Sequence, residues 1–169
     1  MMLARKMALS LLVGLTVAFA GCDGGEDVPQ ERLTVIGPGG GEAASWEGNA
    51  RIQVPANALE GATLWVRIEQ ATEFTPDAAI IPGSVYSFSP ADQALALPAT
   101  VTIRYDRAEL PTGVVEADLR LARFTGGIWQ PIPGSAANVL GRSVSAQVTN
   151  LGLFAIRAGS VPVAANGAD

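Results

Sequence analysis

The sequence predicts an all-β domain, an antiparallel two-sheet β-sandwich. Three observations carry that expectation. Short runs of alternating apolar and polar residues recur about every 8–12 residues, with turn residues between them. Glycine and proline are frequent, at 19 and 11 of 169 residues, which fits many turns. No stretch beyond residue 31 keeps helical periodicity for three turns.

Leu33-Thr34-Val35-Ile36 reads as a first strand, ended by Gly37-Pro38-Gly39-Gly40-Gly41. Arg51-Ile52-Gln53-Val54 alternates and stops at Pro55, and Pro55 to Leu59 is expected to form one helical turn. Thr63 to Gln70 gives the clearest pattern. Leu64, Val66 and Ile68 share one face, and Trp65, Arg67 and Glu69 share the other. Ala71 to Gly83, with Pro76 and Pro82, reads as a long loop. Val85 to Ser89 is a strand with Tyr86 and Phe88 on one side. Pro90 and Pro98 bracket Ala91 to Leu97, read as a connection or an edge strand.

Thr100 to Tyr105 alternates again, with Val101, Ile103 and Tyr105 inward. Leu110 to Gly113 is a turn. Asp118 to Phe124 and Ile128 to Ile132 are expected to pair as a hairpin about Gly126-Gly127. Ser143 to Val148 places Val144, Ala146 and Val148 on one face, and Leu153 to Arg157 is the last strand, with Phe154 and Ile156 together. The expected organisation is therefore a signal segment at 1–21, a short acidic tether at 22–31, the sandwich at 32–158 and a frayed tail at 159–169. A domain of roughly 130 residues buries about two thirds of its unfolded surface, enough to be stable without disulfides.

The segment before the sandwich carries the strongest functional signal. Arg5 and Lys6 precede the uncharged run Met7 to Phe19. That run is shorter than the roughly 20 residues a permanent span needs, and it ends at Ala20-Gly21-Cys22. A basic leader, a short apolar run and small residues describe a secretory signal and its cleavage site. Cys22 is the sole cysteine, so it cannot close a disulfide within the chain. Phe19-Ala20-Gly21-Cys22 resembles the lipobox of bacterial lipoproteins, with Phe19 where Leu is usual. The resemblance implies cleavage before Cys22, a diacylglycerol thioether on its sulfur, acylation of the new amine (palmitate or a similar chain) and residence in the cell envelope. A plain secretory signal is the alternative.

Loss of residues 1–21 removes Arg5 and Lys6 and no acid, leaving 9 arginines against 16 acids and a formal charge of −7. An acidic surface without lysine clusters disfavours nucleic acid as a partner.

The order of motifs within the sandwich resembles a known family. Val54-Pro55-Ala56-Asn57-Ala58-Leu59 is followed by Ser84-Val85-Tyr86-Ser87-Phe88-Ser89-Pro90 and by Pro98 to Asp106. Leu110-Pro111-Thr112-Gly113, Trp129 to Gly134 and Val148 to Ala155 complete the series. Together they resemble the ZU-type domain, the β-sandwich of zonula occludens proteins, netrin receptors and ankyrins, over roughly residues 32–157. The resemblance implies a protein-interaction or structural module and brings no ligand with it. Some relatives cleave themselves at a His-Phe-Ser triplet. Here Asn150-Leu151-Gly152 stands in its place, with neither base nor nucleophile, and Gly152 is expected in a turn or bulge.

The chain offers little to catalysis. It has no histidine, which removes the usual base of Ser and Cys nucleophiles and the commonest zinc ligand. Gly37 to Gly41 lacks both the third glycine of a dinucleotide loop, where Glu42 stands, and the Lys-Ser/Thr pair of a P-loop. Asp92, Asp106, Glu109, Glu116 and Asp118 fall in loops and strand ends, where solvated acids are ordinary. No cofactor, metal site or catalytic residue is expected. Trp46, Trp65 and Trp129 remain as binding candidates. Trp65 projects from the polar face of its strand, where it can anchor a partner protein, stack on sugar or cover a sheet edge. Trp129 is expected in the core. The sequence thus points to a lipid-anchored, non-enzymatic interaction or structural module, with a carbohydrate-binding module as the alternative.

Overall fold

In the computed structural model, residues 33–159 are described. Cys22, the expected signal segment and tether, and residues 160–169 of the expected tail lie outside them. The described chain forms two antiparallel sheets packed as a sandwich. One holds β1 (Leu33–Ile36), β4 (Leu64–Gln70), β5 (Tyr86–Ser89), β11 (Gly152–Arg157), β7 (Arg120–Thr125) and β8 (Ile128–Pro131), in that order. The other holds β2 (Gly41–Ala44), β3 (Ala50–Val54), β6 (Ala94–Arg104), β10 (Ser143–Asn150) and β9 (Ala136–Asn138).

Alternation decides which face is buried. Leu64, Val66 and Ile68 of β4 point into the sandwich, as do Val101 and Ile103 of β6, Val144 and Val148 of β10, and Phe154 and Ile156 of β11. Phe88 and Phe154 meet edge to face at 5.3 Å near the centre of this core, both with no exposed surface, a favoured aromatic geometry. The hairpin between β7 and β8 pairs Thr125 with Ile128 across Gly126 and Gly127. Both glycines have positive φ, 61° and 83°, as the two central residues of a type I′ turn require.

Five local expectations are corrected. Pro55 to Leu59 forms successive turns rather than a helical turn, because Asn57 and Glu60 take φ of 67° and 50°, outside the right-handed helical region. The segment 91–97 is not a separate connection or strand. From Ala94 it is the first half of β6, which runs on through Pro98. Among the described residues, this half has no strand partner on the β3 side, since β3 pairs only with Thr100 to Ile103. Proline is accommodated there because β6 bulges. Ala94 and Ala99 face Asn150 and Val148 of β10, so the intervening residues are out of register.

Two strands made of small residues, β2 and β9, carry no visible apolar alternation and were not expected. Asp118 belongs to a 3₁₀ turn, Glu116–Asp118, and β7 starts only at Arg120. Gly152 is neither turn nor bulge. It opens β11 opposite Phe88, and buried Leu151 alone links it to β10 in the other sheet.

A second cluster covers part of the outer face of the six-stranded sheet. Ile80 and Val85, from the long segment between β4 and β5, pack over Ala122, Trp129 and Ala155 of β7, β8 and β11. The indole N–H of Trp129 donates to the carbonyl of Thr75 at 2.9 Å, and Phe74 and Phe124 flank its ring. Among the described residues, none gives the β1–β4 end of the same outer face such cover.

Candidate functional site

The uncovered end of the six-stranded sheet is an apolar strip. On β1, Leu33 and Val35 point outward while Ile36 points in. On β4, Trp65 points outward between buried Leu64 and Val66. The β1–β4 register sets Val35 opposite Trp65 and Leu33 opposite Arg67, so the three apolar side chains are neighbours on one surface. They are 53%, 50% and 58% exposed for Leu33, Val35 and Trp65. Isolated exposed apolar residues are ordinary, but contiguous ones mark contact surfaces. The charges beside the strip offset one another. Arg67 and Glu69, also outward on β4, form an ion pair at 3.4 Å.

A polar groove of about 380 Å³ lies at one end of the sandwich, where β4 ends and β5 begins. Glu47, Asp106 and Glu109 line it together with Arg104 and Arg142, so no single charge sign prevails. Several polar groups in and beside it are bonded within the fold. The Ser84 hydroxyl donates to the Ile81 carbonyl at 2.7 Å and accepts the Ile156 N–H at 3.0 Å. Asp106 accepts the N–H of Ala108. The Tyr105 hydroxyl donates to Glu116 at 2.8 Å, and Arg107 pairs with the other oxygen of that carboxylate at 2.7 Å.

These contacts shift the titration of three groups. Burial, reinforced by the hydrogen bond to the Glu116 carboxylate, pushes Tyr105 up to about 12. The Tyr105 hydroxyl, then Arg107, hold Glu116 below the ordinary carboxylate value. Burial raises Tyr86 as well, against a hydrogen bond from Asn49 that lowers it. Two phenols held protonated, a hydroxyl locked on both sides and a carboxylate locked in an ion pair are poor bases and nucleophiles.

The sequence candidates separate accordingly. Trp65 stands on the outer face, as expected from its strand. Trp129 is buried, at 7% exposure, also as expected. Trp46 is exposed at 61% in the turn between β2 and β3, whose Glu47 and Asn49 line the groove. Asp92 is engaged by Arg123 at 3.0 Å. Among the described residues, no three metal-ligating side chains come together. Sequence reasoning missed Leu33 and Val35 as companions of Trp65. Their alternation along β1 put them on one face, but nothing in the sequence said that β1 pairs with β4. No protein-family model matches the chain, and no curated protein matches it.

Proposed function

We propose that the chain is a lipid-anchored module of the bacterial cell envelope, held by Cys22, whose β-sandwich serves protein interaction or envelope structure without catalysis. The observation that carries this reading is the strip of Leu33, Val35 and Trp65. It is a ready contact surface on the strand nearest Cys22 in sequence. The internal bonding of the groove supports the non-catalytic part. The proposed kinship with ZU-type domains draws support from where the quoted motifs fall in the two-sheet fold. Val54 ends β3, Ser84 to Pro90 spans β5, Pro98 to Asp106 contains the inner half of β6, and Val148 to Ala155 crosses from β10 into β11. Intact-mass measurement of the protein extracted from its native membrane tests the anchor. A chain starting at Cys22 with the added mass of diacylglycerol and an amide-linked acyl chain is expected, and an unmodified cysteine would refute it.

A second reading, a carbohydrate-binding module, is favoured by exposed Trp46 beside the polar groove. On a glycan array that reading requires saturable binding lost in Trp46→Ala or Trp65→Ala. Binding that survives both substitutions, or no binding, excludes it.

A further inference from the structure

We propose that the strip of Leu33, Val35 and Trp65 rests in the interfacial layer of the bilayer that holds the lipid anchor, so that the domain lies against the membrane on the β1–β4 end of its six-stranded sheet. This inference rests on the lipidation of Cys22 proposed above.

Three observations carry it. The first is reach. Cys22 and Leu33 are 11 positions apart, and a chain spans at most about 3.3–3.6 Å per residue, so Leu33 stays within about 36–40 Å of the anchor. A folded domain of about 130 residues has a radius of gyration of about 14 Å, so that limit is close to the diameter of the domain itself. Among the described elements, β1 is the one nearest the anchor along the chain, and the tether is long enough for it to reach the bilayer.

The second is chemistry. Tryptophan is enriched at membrane–water interfaces, where its apolar ring and its N–H are both satisfied. Leu33 and Val35 beside it give the ring apolar flanks. The third is selective cover. The long segment between β4 and β5 seals the β7, β8 and β11 part of this outer face with Ile80, Val85 and the Trp129–Thr75 hydrogen bond. Within the described chain it leaves the anchor-side part bare. Among the described residues, the arginine and glutamate beside the strip pair with each other, which suits zwitterionic headgroups, and a chain of formal charge −7 would be repelled by anionic lipid.

The lipidated chain, purified in detergent and reconstituted in phosphatidylcholine vesicles with brominated acyl chains, provides the test. In Val35→Cys the new thiol takes an environment-sensitive dye, because the sulfur of Cys22 is occupied by lipid. Gln147→Cys, exposed on the outer face of β10 in the other sheet, is the comparison. The dye at 35 is expected to shift to the blue and to be quenched several-fold more than the dye at 147, with little change on adding salt. Tryptophan emission reports on the chain without a dye. Bromolipid should quench it, and Trp65→Phe should abolish most of that quenching.

A dye at 35 as exposed as that at 147, on protein that floats with the vesicles, overturns the inference and leaves the anchor standing. Protein that does not float overturns both. Shielding at 35 that appears in lipid-free Cys22→Ser protein and grows with concentration assigns the strip to a second copy of the chain, and also overturns it.

Discussion

Val35 stands directly opposite Trp65 across the β1–β4 ladder, and each exposes half or more of its surface. Phe154, three strands away in the same sheet, is fully enclosed against Phe88. The two environments predict opposite responses to truncation. Phe154→Ala removes a core ring and leaves a cavity, at a cost of about 3–5 kcal/mol. Trp65→Ala and Thr102→Ala, on outer faces, should each change stability by no more than about 1 kcal/mol. Urea unfolding of the three variants separates them. Comparable losses from Phe154→Ala and Thr102→Ala would contradict the facing of the strands.

The link between Tyr105, Glu116 and Arg107 predicts a pH dependence. The carboxyl of Glu116 titrates lower in the folded chain than its ordinary value of 4.5. The stabilisation tied to that shift is therefore present above about pH 4.5 and lost as pH falls through the lower folded value. Tyr105→Phe removes the first cause of the shift. Wild type should be the more stable at pH 7, and the gap to Tyr105→Phe should shrink as pH drops below 4.5. Tyr105 itself acts at the other end. Its folded value of about 12 lies above the ordinary 10.0, so its contribution is complete below pH 10 and declines as pH rises toward 12. Urea midpoints measured from pH 7 down to 3 check the acid limb. A gap that stays constant would show that Glu116 is not coupled to Tyr105.

Much of this fold was legible in the sequence where large apolar residues alternate with polar ones. β4 is the clearest case, because Leu64, Val66 and Ile68 can be buried together only if Trp65, Arg67 and Glu69 face away. β2 was not legible, because Gly41-Glu42-Ala43-Ala44 offers nothing large to alternate. The first half of β6 was hidden by Pro98, which reads as a strand end unless the bulge opposite β10 is known. The candidate site was half legible. Trp65 announced itself as an outward tryptophan, whereas the bareness of its surroundings depends on tertiary contacts. The Trp129–Thr75 hydrogen bond joins residues 54 positions apart. No local pattern shows that the long segment folds over β8 rather than over β1.

The junction between β10 and β11 predicts that the chain is not cut there. A self-cleaving acyl shift needs a side-chain nucleophile after the broken bond and a base beside it. Asn150 and Gly152 provide neither. The Leu151–Gly152 linkage is also held firmly, since Leu151 N–H donates to Gln93 and its carbonyl accepts from Asp92 and Arg123. Gly152 has a φ of 149°, a conformation open to glycine without the strain another residue would carry. Mass spectrometry of denatured, protease-inhibited protein should show one species. A fragment beginning at Gly152 would contradict this and reopen a catalytic reading.

Membrane attachment through Cys22 is tested most directly by fractionating cells that express wild type and Cys22→Ser side by side. Acyl chains contribute about 0.8 kcal/mol per buried methylene, so two or three of them hold a protein on the bilayer against any ordinary wash. The strip of Leu33, Val35 and Trp65 has no comparable hold by itself. Wild type should remain in the membrane pellet through high salt and alkaline carbonate, and the serine variant should pass into the soluble fraction. A serine variant retained in the pellet as completely as wild type would contradict the anchor and, with it, the proposed function.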